Sequence, residues 1–312
     1  MKNLGAISAY IVIAFGLAWL VALPLWQGGG LQNPLFLVLA TAMMFTPAVA
    51  ALVVGKIADP KARLLASLGI GGINGRIVLY GLFAVVASLV INLGALAVGQ
   101  AFGVFHLDLV HFSAFHDLIA AKLAAAGKPW PARMPPLGLL VALQLVVAVV
   151  ASPINAVAAA GEEIGWRGFL LPRLLPMGTV PAIVVMGVIW ALWHAPLILL
   201  GYNYPAGPRW WALTCMSGMC IALGPVLAWL RLRTRSIWPC ALFHGAINAG
   251  AGFFAVLGTS GQVVNRHEAT ILGWSGWIIP IVLAVILFVI WPPRKDQVSD
   301  QTASSLPDGS VN

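Results

Sequence analysis

The sequence predicts an all-α fold, a polytopic membrane helical bundle with about eight transmembrane helices. Three observations carry that prediction. Of the 312 residues, 61% are hydrophobic and only 8% are charged, against roughly 25% charge in an ordinary soluble domain. Apolar stretches near the roughly 20 residues needed to cross a bilayer recur eight times along the chain. Tryptophans, among them Trp26, Trp210, Trp211, Trp274 and Trp291, fall near the ends of these stretches, where indoles anchor helices at the membrane–water boundary.

Each stretch can be justified in turn. The first, 5–26, follows a single Lys2 and shows no small-residue cleavage pattern before Gln27-Gly28-Gly29-Gly30, so it is expected to stay as a helix rather than leave as a signal peptide. Stretches at 34–55 and 76–101 come next, joined through Gly69, Gly71, Gly72 and Gly75. No strand precedes these glycines, so a flexible turn is expected and a nucleotide-binding loop is not. The segment from Phe102 to Pro136 is too polar to span. Its His106, His111 and His116 recur every five residues and do not share a helical face, so a non-cytoplasmic loop with a surface helix is expected there. The remaining spans are placed at 137–160, 180–200, 210–230, 237–257 and 271–291. Residues 295–312 are polar and are expected to be a disordered cytoplasmic tail, leaving 1–294 as one transmembrane domain.

Charge and cysteine content narrow the function. The net charge of +8 comes from 17 Lys+Arg against 9 Asp+Glu, an excess that in a membrane chain records topology and contact with anionic lipid. Nucleic acid is excluded as a partner on this reading, and membrane lipid is expected. With the N-terminus in the cytoplasm, Lys2, Lys56, Lys61, Arg63, Arg76, Arg167, Arg173, Arg231, Arg233, Arg235, Arg294 and Lys295 fall on one side. Only Lys122, Lys128, Arg133, Arg209 and Arg266 fall on the other, so both termini are expected inside. Cys215, Cys220 and Cys240 have no CxxC spacing and suggest neither a disulfide framework nor a cysteine zinc site.

Glu162 and Glu163 are the most informative residues. Glu268 is the only other glutamate in the chain. An ionised side chain at the centre of a membrane helix costs about 2.5–3.5 kcal/mol, so the pair belongs in a polar cavity or at the membrane boundary. They open Glu162-Glu163-Ile164-Gly165-Trp166-Arg167, expected on a helix that continues from the fourth span to Pro172. Glu163 and Arg167 stand four apart in the favourable order for a helical ion pair, and Glu162, rotated about 100° away, is left free of that partner. A second motif, Trp190-Ala191-Leu192-Trp193-His194, lies in the fifth span, and a third, His244-Gly245-Ala246-Ile247-Asn248, in the seventh. A lone intramembrane His is commonly just an interhelical hydrogen-bonding group. Two of them on separate helices, with an amide one turn from one and a carboxylate nearby, form a water-activating or metal-binding constellation.

In this order and spacing the motifs resemble those of the CPBP (Abi) intramembrane proteases, which include the type II CAAX prenyl proteases and carry EExxxR, FxxxH and HxxxN or HxxxB on separate membrane helices. Trp190 stands where that family usually has Phe, preserving an aromatic packing role. The motif-bearing core is 137–257. The resemblance implies peptide-bond hydrolysis in or beside a bacterial plasma membrane, on a peptide or protein substrate that is prenylated or not. It implies Glu162 as general base, His194 and His244 orienting the water, Asn248 donating to the oxyanion, and Arg167 positioning Glu162 and Glu163. A divalent metal, zinc, held by His194, His244 and Glu162 is expected; as a ligand Glu162 could not also be the free base, which leaves Glu163 as base or a metal-free glutamate mechanism, and HExxH is absent. A non-proteolytic scaffold of the same fold and a proton-coupled transporter are the rival readings, the latter lacking an internal repeat to support it.

Overall fold

All eight apolar stretches are helical in the computed structural model of the chain, which describes residues 2–58, 60 and 63–293. Among the described residues six helices are long and apolar enough to cross a membrane, and two shorter apolar ones accompany them. The protein is a multi-pass membrane protein of all-α class. Among the described residues the only β feature is an isolated bridge between Leu107 and Gly258. The expected tail, 295–312, lies outside the described residues, as do Lys61 and Arg294.

Helix α1 covers Lys2–Gln27. The second span is two helices, α2 (Phe36–Met44) and α3 (Thr46–Ala58), joined at Phe45. Pro47 explains the joint, because it has no N–H to return to the preceding turn. Helix α4 (Gly75–Ala101) is capped by Asn74, whose side chain accepts from the Ile77 amide at 3.0 Å. The glycine segment before it is more tightly built than the expected flexible turn. Gly69 adopts φ +79°, a Cβ there would sit 2.9 Å from the Arg231 guanidinium carbon, and its carbonyl accepts from Ile237 N at 3.1 Å.

The polar segment folds outside the spans around α5 (Ser113–Ala125). Asp108 organises its entry by accepting from the amides of Val110, His111 and Ser113 and from the Ser113 hydroxyl. These bonds, the Ser113 hydroxyl first, hold its carboxyl well below the ordinary aspartate range. The Asp108 amide in turn donates to the Leu257 carbonyl at 2.8 Å, tying the loop to the end of the seventh span.

Helix α6 (Leu137–Glu163) passes into a π-helical segment, Ile164–Leu170, and then a short helix, Leu171–Leu174. The expected single helix ending at Pro172 is therefore corrected: the hydrogen-bond register widens after Glu163, and Pro172 sits in the first turn of the next helix, where no N–H is required. The fifth span is also interrupted. Helix α7 (Thr179–Trp193) stops at His194, and Ala195–Ile198 form a separate turn, since Pro196 cannot donate back to Leu192. Helices α8 (Arg209–Thr234), α9 (Trp238–Gly250) and α10 (Ile278–Ile290) complete the bundle.

Helix α9 is the central element, packed along both α6 and α4. Gly245 permits the approach to α6: a Cβ there would lie 2.8 Å from the Ser152 carbonyl oxygen, and Asn155 donates to the Gly245 carbonyl. From the α4 side, Ser88 donates to the Phe243 carbonyl at 3.0 Å and Asn92 to that of Ile247 at 3.4 Å. His244 is thus fixed by bonds to its neighbours on the chain. Not all of the basic residues assigned to one end of the bundle are loop charges. Arg231 and Arg167 are fully enclosed, and Arg231 donates to the carbonyls of Arg167 and Ser67.

Candidate active site

The acidic motif is shaped by its glycines. On one side of the chain Gly161, Gly165 and Gly168 face neighbouring backbone. Added Cβ atoms would stand 2.6 Å from the Met44 carbonyl at Gly161 and 2.7 Å from that of Leu68 at Gly168, while at Gly165 they would overlap Pro47 and the Tyr10 hydroxyl. The chain can therefore lie directly against the α2–α3 joint, and the long polar side chains turn the other way, into the bundle. Glu162, Glu163 and Arg167 are all buried.

Glu163 and Arg167 form the expected i,i+4 pair, with Nη1 donating to Oε1 at 2.9 Å. The same Oε1 lies 3.0 Å from His244 Nδ1. One carboxylate oxygen thus joins the acidic motif to the third motif. Against the Glu163 carboxylate the imidazole donates from Nδ1, so that a neutral His244 keeps its lone pair at Nε2. His194 reaches the same state by another route: its Nδ1 lies 2.9 Å from the Trp190 carbonyl oxygen, which can only accept, so Nδ1 carries the proton. The break in the fifth span matters here, because it puts His194 at the end of α7 rather than inside a continuous helix.

Glu162 is not the free carboxylate that its rotation away from Arg167 suggests. Its Oε2 accepts from the Trp190 indole at 2.6 Å and, at a longer 3.4 Å, from that of Trp166. Trp190 also presents its ring edge-on to His244 at 5.3 Å between centroids, and the Arg167 guanidinium lies 4.4 Å from its centroid. Arg167 therefore reaches the motif cluster through its ion pair with Glu163 and its contact with Trp190.

Glu162, His194, His244 and Asn248 line one cavity of about 270 Å³. Glu163 and Arg167 stand behind it and contribute no lining surface. Asn248 is exposed and His194 half-buried, whereas Glu162 and His244 are buried at the cavity wall. The sequence motifs miss Tyr202, Asn203 and Thr41, which line the same space, together with a wall that includes Met43, Met44, Met216 and Met219. Tyr202 carried one legible signal, a polar aromatic directly after an apolar span. Burial pushes its phenol above the ordinary range, with the Glu162 carboxylate acting in the same direction, so the hydroxyl keeps its proton at neutral pH.

In donor type, two imidazole nitrogens and a carboxylate suit zinc. Among the described residues, however, no three His, Cys, Asp or Glu side chains are gathered into a ligand set. His194, His244 and Glu162 share a cavity without closing on a common point, and the chemistry below uses the chain's own groups.

The region that carries these residues matches known proteins. Residues 138–250 match the family model described as type II CAAX prenyl endopeptidase Rce1-like. Over 105 residues the chain is 31% identical to the CAAX prenyl protease 2 of Methanococcus maripaludis, an alignment covering 32% of this chain and 38% of that protein. The chain thus aligns with well under half the length of this curated relative. The resemblance to the CPBP and type II CAAX protease family is shown over the segment that holds all three motifs.

Proposed function

We propose that this protein is an intramembrane endopeptidase of the type II CAAX protease kind, hydrolysing a peptide bond in a membrane-associated peptide or protein. The observation that carries the reading is the meeting of Glu162, His194, His244 and Asn248, drawn from three separate helical elements, on one cavity within the matched segment.

A water in that cavity would donate to the free Nε2 of His194 or His244, each held with its lone pair available by the bond at Nδ1. Glu162 takes a proton from this water as its oxygen attacks the carbonyl carbon. Asn248 donates its amide N–H to the oxygen that becomes negative. The proton then passes from Glu162 to the leaving nitrogen, the C–N bond breaks, and a carboxylic acid and an amine result. Glu163 and Arg167 orient His244 from behind. The methionine-lined walls suit an apolar or lipidated chain beside the scissile bond, which supports a prenylated substrate. Zinc, if bound at the same groups, would supply Lewis-acid polarisation of the carbonyl.

The test is cleavage of a farnesylated CAAX peptide by the purified protein and by Glu162→Gln. Wild type is expected to release the C-terminal tripeptide and the folded Glu162→Gln to release none; equal cleavage by both would sink the assignment. A parallel arm after exhaustive chelation decides the metal: activity in metal-free protein removes zinc while leaving the protease reading standing. Comparison of membrane proteomes from the same two forms extends the test to unprenylated substrates.

A further inference from the structure

We propose that Trp190 is a positioning residue for Glu162: its indole N–H holds Oε2, so that Oε1 is the oxygen presented to the cavity. This deepens the protease reading and rests on it only for its consequence in catalysis.

A glutamate needs such a constraint because rotation about its terminal bond is broad and nearly two-fold, so an unrestrained carboxylate exchanges its two oxygens. An indole suits the task, having one donor and no acceptor. The 2.6 Å contact is shorter than the usual N–H···O range and is directed to a carboxylate oxygen. Trp166 reaches the same oxygen only at 3.4 Å, so Trp190 makes the stronger of the two contacts.

Trp190 is itself immobilised. It is 2% exposed, its ring meets His244 edge-on, the Arg167 guanidinium lies over its face, and its carbonyl holds His194 Nδ1. One residue therefore touches Glu162, His194, His244 and the Glu163–Arg167 pair. A phenylalanine would keep the ring packing and lose the donor, so the function assigned to Trp190 is separable from its bulk.

The experiment exploits the fact that the chain contains three glutamates, Glu162, Glu163 and Glu268. Protein labelled with ¹³C at the glutamate side-chain carboxyls gives an isotope-edited infrared spectrum in which the Glu162 band is identified by its loss in Glu162→Gln. In Trp190→Phe that band is expected to shift and broaden while the Glu163 and Glu268 bands stay in place, and Trp166→Phe is expected to move it less. With the farnesylated peptide, Trp190→Phe should lower kcat about 10- to 100-fold, the range expected for loss of one hydrogen bond to a charged group, and change KM less than about 2-fold, as removal of orientation rather than binding requires. A folded Trp190→Phe with an unmoved Glu162 band and wild-type kcat overturns the proposal. If Trp190→Phe does not fold, 3-benzothienylalanine at position 190 replaces the N–H by sulfur in nearly the same shape and takes both measurements. Absence of cleavage by wild type defeats the protease reading instead, and the infrared measurement still decides the role of Trp190.

Discussion

At residue scale, a single oxygen carries an unusual share of the site. Glu163 Oε1 meets both Arg167 and His244, while Glu163 Oε2 and two Arg167 nitrogens are buried without a hydrogen-bond partner. Removing one member of a buried ion pair costs about 3–5 kcal/mol, because the survivor stays charged and enclosed. Glu163→Gln is therefore expected to destabilise the folded protein by about 3 kcal/mol. Arg167→Met combined with it should cost clearly less than the two single changes added together. Reversible unfolding in detergent across the four proteins of this cycle measures the coupling; additive losses would show that the pair is not energetically linked. Glu163→Gln is also expected to keep more cleavage activity than Glu162→Gln, since it perturbs the support of His244 and leaves the base in place. The pairing itself was legible from four-residue spacing. The Trp190 indole bond to Glu162 was not, because Trp190 lies 28 positions away and an aromatic in an apolar span gives no sign of where its N–H points.

At element scale, the departures from regular helix are where the motifs meet. Hydrophobic periodicity located the spans, yet it could not show that the fourth ends in a π-helical segment or that the fifth stops at His194. Both depend on local accommodation, by Gly161, Gly165 and Gly168 in one case and Pro196 in the other, and a window average smooths over such features. The loop before α5 offers a pH test. Hydrogen bonds hold the Asp108 carboxyl below its ordinary range. A depressed folded pKa contributes stability that is present above the unfolded aspartate value, about 3.9, and is lost as pH falls through the lower folded value. The amides of Val110, His111 and Ser113 should accordingly remain protected from hydrogen exchange at pH 5, after correction for intrinsic rates, and open only on acidification below about pH 4. Asp108→Asn should weaken protection throughout. Loss of wild-type protection already between pH 5 and 7 would refute the assignment of the loop's order to this carboxylate.

At the scale of the whole molecule, the multi-pass helical plan was readable because lipid demands long apolar segments, although two of the eight expected spans are shorter helices, and the structure adds how their ends are grouped. Arg76 donates to the Arg233 carbonyl, Arg233 to that of Pro292, and Arg231 to that of Ser67. These residues therefore occupy one end of the bundle, while Arg209 and Arg266 bind the 202–204 turn at the other. On the positive-inside rule the first end is predicted to face the cytoplasm. The native cysteines are all buried, which leaves a clean background for single reporters. A membrane-impermeant maleimide is expected to label Val263→Cys in intact cells and Gly72→Cys only after lysis; the reverse pattern would invert the topology. What no pattern of apolar residues could disclose is the cavity, since its walls come from segments separated by more than 200 residues, from Leu37 to Leu272.

The contact between Glu163 and His244 also orders events in time. Ribosomal synthesis releases the fourth span long before the seventh, so the acidic motif must enter the membrane while its imidazole partner is still unmade. Arg167, only four residues on, lets Glu163 arrive as half of an ion pair rather than as a bare anion. The last span of the motif set to emerge is also the one that brings His244 and Asn248, so the cavity that Glu162 and His194 line gains its remaining motif residues only when that span is made.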